Sequence, residues 1–213
     1  ELLRARQYDK AALALLSILK RWPGQADALH FMGLLRHAQG DSEAAIRLIM
    51  QAIQGMPEQP GPWNNLGNVL VETQRYADAE TAYQRCLALQ PDFAEAYNNR
   101  SSIYLKLGQH QKAIDDMNKA VSLKPDAASI YFNRGNFFTN LSRYQPAIED
   151  YTKAISLNPA YPEAYNNRAF AYYRLGDPAK AQTDLLKAES LGAQINKGLL
   201  SRIQQALREK GLN

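Results

Sequence analysis

The chain has 213 residues, 46% of them hydrophobic, with 25 Lys and Arg against 21 Asp and Glu and a single cysteine, Cys86. That apolar share supports a continuous core and argues against disorder, and one cysteine excludes an internal disulfide. The net charge of +4 is scattered, mainly over Arg4, Arg6, Lys10, Lys20 and Arg21 near one end and Lys197, Arg202, Arg208 and Lys210 near the other, so no clustered face for nucleic acid is expected.

In chain order, the first feature is an apolar stretch from Ala11 to Leu19, broken by Ser17 and too short to span a bilayer. No signal peptide is visible, which leaves the compartment open with the cytoplasm as the default expectation. Pro23, Pro57, Pro91, Pro125 and Pro159 then follow at a constant interval of 34 residues. With this Pro as position 32 of a repeat, residues 1–25 form a partial repeat in which Glu1 is position 10, Tyr8 is position 17 and Ala11 is position 20. Five full blocks follow, 26–59, 60–93, 94–127, 128–161 and 162–195. Each predicts a helix near positions 2–14 and another near 17–29, about twelve helices in all with no strand. Residues 196–213 close the chain with an amphipathic helix from about Lys197 to Lys210. Its Leu199, Leu200, Ile203 and Leu207 share one face and can cover the last core of the array. The whole is read as a single repeat domain.

The other columns agree with this register. Position 4 holds Leu29, Trp63, Tyr97, Tyr131 and Tyr165, and position 8 holds Gly33, Gly67, Ser101, Gly135 and Ala169. Position 20 is always alanine, in Ala45, Ala79, Ala113, Ala147 and Ala181, and position 27 is Ala52, Cys86, Ala120, Ala154 and Ala188. Large residues alternating with small ones let two helices approach closely. Gly40, Gly108 and Gly176 at position 15 mark the turn between them, and the proline ends the second helix. Cys86, in an alanine column, is expected to be buried and inert.

Trp63, Leu66, Gly67, Ala79, Tyr83 and Pro91 at this spacing resemble the tetratricopeptide repeat signature, with Leu70 where the signature has Tyr. The resemblance implies an all-α, right-handed superhelix of antiparallel helical hairpins, an α-solenoid that binds protein or peptide partners. Asn99-Arg100-Ser101, Tyr104, Gly108 and Lys124-Pro125-Asp126 are similar to a repeat of chaperone-binding co-chaperones, which clamp a terminal carboxylate. The cationic positions of that clamp fall on Asn64, Ser129 and Asn133, so carboxylate clamping of that kind is not expected. The runs Ala28 to Leu35 and Trp63 to Asn68 look like the repeats of O-GlcNAc transferases. The alternative function is therefore the substrate-recognition arm of such a glycosyltransferase.

No catalytic residues, metal ligands or cofactor are expected. His30 and His37 lie two helical turns apart without a third ligand. No phosphate loop or nucleophile elbow is present. Position 7 is Met32 and Leu66, then Arg100, Arg134 and Arg168, and position 23 changes with it from Leu48 and Ala82 to Asp116, Asp150 and Asp184. In a hairpin turning near position 15 these two columns face each other. Three Arg–Asp pairs are predicted, in preference to a row of free arginines for anionic ligands.

With positions 4, 7, 8 and 11 inward, positions 2, 5, 6, 9, 12 and 13 lie on the other face of the first helix. In this family, as the resemblance implies, that face lines the concave groove. It carries nine asparagines, Asn64, Asn65, Asn68, Asn98, Asn99, Asn133, Asn136, Asn166 and Asn167, with Phe31, Phe132, Phe170 and Tyr173. Asn costs roughly half a kcal/mol per site against Ala in a helix, so its repetition asks for a reason. One reading is that the amides bridge adjacent repeats. The other, preferred here, is that Asn65, Asn99, Asn133 and Asn167 grip the main chain of an extended partner segment of about 7–9 residues, the aromatics supplying selectivity. With Glu95, Glu163 and Lys106 at its edges, this face is expected to bind with mild salt dependence. The expected partner is a protein or peptide, as an extended segment or a helix, with self-association through the terminal helices as a further route.

Overall fold

The structure, a computed structural model, describes residues 8–211. Glu1, Arg4 and Arg6, part of the predicted partial repeat and basic end, lie outside the described residues. Among the described residues there are twelve α-helices and no strand. They are α1 Tyr8–Arg21, α2 Ala26–Ala38, α3 Ser42–Gly55, α4 Pro60–Glu72, α5 Tyr76–Leu89 and α6 Ala94–Lys106. The remainder are α7 His110–Leu123, α8 Ala128–Asn140, α9 Tyr144–Leu157, α10 Pro162–Arg174, α11 Pro178–Ser190 and α12 Lys197–Glu209. Helices begin and end within two residues of the positions read from the repeat.

Two compact units divide the chain between Asp116 and Met117, inside α7. In the first, α1 packs on α2, α2 pairs with α3, α4 with α5, and α5 leads into α6. Its core joins Ile46, Ile49, Leu66, Val69, Tyr83 and Ile103. In the second, α8 pairs with α9, α10 packs against α9 and α11, and α12 packs on α11. There Ile203 and Leu207 of α12 are buried against Ala169, Ala181 and Leu185. The closing helix thus shields an alanine-lined core that the last repeat would otherwise expose.

Position 15 shows why the repeat turns where it does. Gly40, Gly108 and Gly176 have φ of 87°, 69° and 80°, the left-handed region that ends a helix at least cost in glycine. Gln74 and Ser142 stand at the same position with φ of 60° and 57°. The turn is a property of the repeat, and two blocks make it without glycine. Position 32 ends the second helix as expected, because the residue before Pro is held extended. The Pro carbonyl also has a use. Trp63 Nε1 donates to Pro57 O at 3.0 Å and Tyr97 Oη to Pro91 O at 3.3 Å, which ties the position-4 aromatic to the end of the preceding repeat.

The inward face is wider than the columns 4, 7, 8 and 11 suggest. Position 10 is fully buried throughout, in Leu35, Val69, Ile103, Phe137 and Ala171, and position 3 is buried in every block. Positions 3 and 10 thus add a second buried strip to each first helix.

Candidate functional site

The paired columns are ion pairs. Arg100 Nε and Nη2 each lie 2.7 Å from a carboxylate oxygen of Asp116. Arg134 meets Asp150 at 2.8 and 2.7 Å, and Arg168 meets Asp184 at 2.7 and 2.8 Å. The fork-on-carboxylate geometry is the strongest form of such a pair. The hydrogen bonds it donates to Asp150 raise the pKa of the Arg134 guanidinium against the effect of burial. A further donor goes to position 25, Arg134 Nη1 to Asn118 at 2.9 Å and Arg168 Nη1 to Thr152 at 3.0 Å. Tyr97 and Tyr104 flank Arg100, and Tyr165 and Tyr172 flank Arg168, each ring centroid 5.6–5.8 Å from the guanidinium carbon. These arginines are committed to the fold.

In the first unit the asparagines bind one another. Asn65 Nδ2 donates to His30 Nε2 at 3.0 Å, and Asn64 Nδ2 to Asn65 Oδ1 at 3.5 Å. Burial lowers the His30 pKa against the opposing pull of Asp27, so the imidazole is neutral near pH 7 and its Nε2 can accept. Asn99 Nδ2 donates to Asn68 Oδ1 at 2.9 Å and to Asn64 Oδ1 at 3.4 Å, while Asn98 Nδ2 donates to Asn99 Oδ1 at 3.2 Å. Tyr83 Oη completes the set by donating to Asn68 Oδ1 at 2.7 Å. An amide has two N–H donors. Asn99 uses both inside the protein. Asn133 is also engaged within the chain.

The second unit repeats the pattern with spare capacity. Asn167 Nδ2 donates to Asn136 Oδ1 and Tyr151 Oη donates to the same oxygen, both at 2.8 Å, with Thr139 Oγ1 3.0 Å from the phenol. Asn166 Nδ2 reaches Asn167 Oδ1 at 3.4 Å. The Asn166 Oδ1 itself is buried without a partner. Asn136, Asn166 and Asn167 line a cleft of about 430 Å³ with Phe170, and an adjoining space of about 470 Å³ shares Phe170, Asn196 and Leu199 with it.

The rule behind the relay is legible afterwards. Where position 24 is Tyr (Tyr83, Tyr151), position 8 is Gly (Gly67, Gly135) and position 9 is Asn (Asn68, Asn136), the acceptor for both the phenol and the next block's position-6 amide. A Cβ on Gly67 or Gly135 would lie 2.5 or 2.6 Å from the tyrosine ring.

The four aromatics divide. Phe31 is 47% exposed, its ring centroid 5.6 Å from that of His30. Phe132 packs on Tyr161 and Tyr151 with centroids 4.8 and 5.9 Å away, Phe170 meets Tyr144 edge-on at 6.2 Å, and Tyr173 leans on the α12 core. Phe170 and Tyr173 still line the cleft. Sequence reasoning missed Asn140, Asn196, Leu199 and Arg202 as lining residues, and it named Arg174 nowhere. Arg174, at position 13, could have been found from the face it shares. The α12 residues carry no repeat column and could not.

Burial pushes the Tyr151 phenol up to about 12, burial with the Glu80 hydrogen bond does the same for Tyr104, and burial pushes the Cys86 thiol up to about 11. The unfolded chain loses these protons from about pH 9–10 while the fold retains them. The sign is therefore a loss of stability as pH rises. Thermal melting should be steady up to about pH 9 and fall between about pH 9 and pH 12. A melting temperature unchanged across that window would contradict the burial of these groups.

Comparison with known proteins agrees with the fold. The tetratricopeptide repeat pattern matches residues 1–61, 64–128 and 162–192, and a TPR repeat pattern matches 135–176. The chain belongs to the tetratricopeptide repeat family, whose members are in general non-catalytic scaffolds for protein–protein interaction. Among solved structures, MamA is 26% identical over 75% of this chain and 93% of its own, with a TM-score of 0.66. MamA from Desulfovibrio magneticus RS-1 is 22% identical over 78% of this chain and 94% of its own, with a TM-score of 0.68. PilF of Pseudomonas aeruginosa is 18% identical over 90% of this chain and 87% of its own, with a TM-score of 0.77. A search of curated protein sequences finds no match.

Proposed function

We propose that the chain is a non-enzymatic scaffold that assembles complexes by holding an extended segment of a protein partner against the asparagine-bearing face of its first helices. The observation that carries this reading is the cleft of the second unit, where the buried Asn166 Oδ1 has no partner and Asn167 has an N–H left over. An unpaired buried acceptor is costly, and because Asn166 lines the cleft, a turn of its side chain brings Oδ1 to a peptide N–H that supplies the missing donor. A peptide main chain alternates donors and acceptors, so amides can hold it whatever its side chains. The nine asparagines thus have two roles. Asn64, Asn65, Asn68 and Asn99 join repeats, while Asn166 and Asn167 keep capacity for a ligand.

The test is a selection of short random peptides on the full chain, followed by titration of the recovered binders. Asn166→Ala should weaken them about fivefold, the equivalent of one neutral hydrogen bond of about 1 kcal/mol, at a melting temperature no lower than that of the unaltered chain. Binders indifferent to Asn166→Ala would place the binding surface elsewhere.

A further inference from the structure

The geometry points to an acidic segment as the partner: the cleft between α8, α10 and α12 takes a peptide that brings a carboxylate to Arg174 and Arg202. This rests on the reading of the cleft as a peptide site and adds the chemistry of what it selects.

The charge of the lining is one-sided. The two adjoining spaces hold Arg174 and Arg202 among asparagines, aromatics and Leu199, and no Asp or Glu lines either. Neither arginine forms an ion pair among the described residues, although Arg100, Arg134 and Arg168 each hold a carboxylate. Arg174 is instead fixed by stacking, its guanidinium carbon 4.7 Å from the Tyr144 ring centroid and 5.6 Å from that of Phe170. Stacking on a ring leaves the edge N–H donors of a guanidinium available, and those donors match a carboxylate. Arg174 is therefore positioned by its rings while its donors face solvent, open to a ligand carboxylate.

The cleft also offers more than point charges. Phe170 and Leu199 line both spaces, so an apolar side chain next to the acidic one has a surface to cover. Asn166 lines the space that Arg174 and Arg202 do not, and its Oδ1, once turned toward the cleft, takes an N–H donor. One ligand answers all three demands, a main chain carrying Asp or Glu beside a large apolar residue. This replaces the expectation of a neutral groove with mild salt dependence.

The experiment compares peptides recovered from the random selection. Those bound in the cleft should be rich in Asp and Glu. Their affinity for the double variant Arg174→Gln with Arg202→Gln should fall about tenfold or more, and raising the salt concentration should weaken binding to the unaltered chain. Lys187→Gln, a change of equal charge on the outer surface of α11, should leave affinity within about twofold. The salt series needs no variant and so stands if the double variant misfolds. Neutral peptides sensitive to Asn166→Ala but not to the arginine changes would overturn the acidic preference and leave the peptide site standing. Acidic peptides indifferent to the arginine pair would overturn the inference as well. A selection yielding no binder would overturn both readings together.

Discussion

Asp150→Ala should lower stability by about 3–5 kcal/mol, the cost of leaving a charge buried without its partner. Asp150 is 4% exposed and holds the two nitrogens of Arg134 at 2.8 and 2.7 Å, so water cannot easily replace it. After the change Arg134 retains only Asn118 and the Tyr131 ring, which neutralise nothing. The double variant Arg134→Leu with Asp150→Ala should recover most of the loss, since Leu66 and Ala82 occupy these two positions in another repeat. Recovery should be incomplete. Around Leu66 and Ala82 there is an apolar hollow of about 240 Å³ reaching Met50 and Trp63, where later repeats have the ion pair. Urea unfolding of the two single variants and the double gives the coupling directly. A double variant no more stable than the worse single one would refute the exchange of an ion pair for an apolar contact.

Gly135→Ala should cost about 1–3 kcal/mol by overpacking. The new Cβ would sit 2.6 Å from Tyr151 Cε1 and 2.8 Å from Cδ1. The ring cannot move aside without cost, because it is fully buried and its hydroxyl is held by Asn136 and Thr139. In the next repeat Ala169 faces Leu185, so the small residue tolerates a methyl once the tyrosine is gone. Introduced into a Tyr151→Leu background, Gly135→Ala should therefore cost under about 1 kcal/mol. Equal penalties in both backgrounds would show that the glycine is required by the backbone and not by the ring.

These two predictions mark what could and could not be read from the chain. The Arg–Asp pairs were legible because two columns changed together at positions that a hairpin brings face to face. The alanine columns and the prolines fixed the helix boundaries in the same way, by repetition. The turn at Gln74 and Ser142 was not legible, since neither residue advertises a positive φ. The asparagine columns were legible, and bridging between repeats stood as one of two readings, but the choice between bridging and binding was not legible. An amide donates and accepts alike, so its sequence position cannot say whether its partner is Asn68 or a ligand. Arg202 was read only as part of the scattered charge, for a different reason. It belongs to α12, which has no counterpart among the repeats, and only the packing of that helix brings it beside Phe170 and Tyr173.

The most direct measurement for the central claim is to map where a selected peptide lies. A recovered binder carrying a photoreactive benzophenone would be irradiated on the full chain and the attachment sites read by mass spectrometry. Attachment to α10 and α12, at residues such as Phe170, Tyr173 and Leu199, is the predicted result. Attachment to the outer surface of the second helices, around Met50 or Leu186, both 51% exposed, would contradict the account.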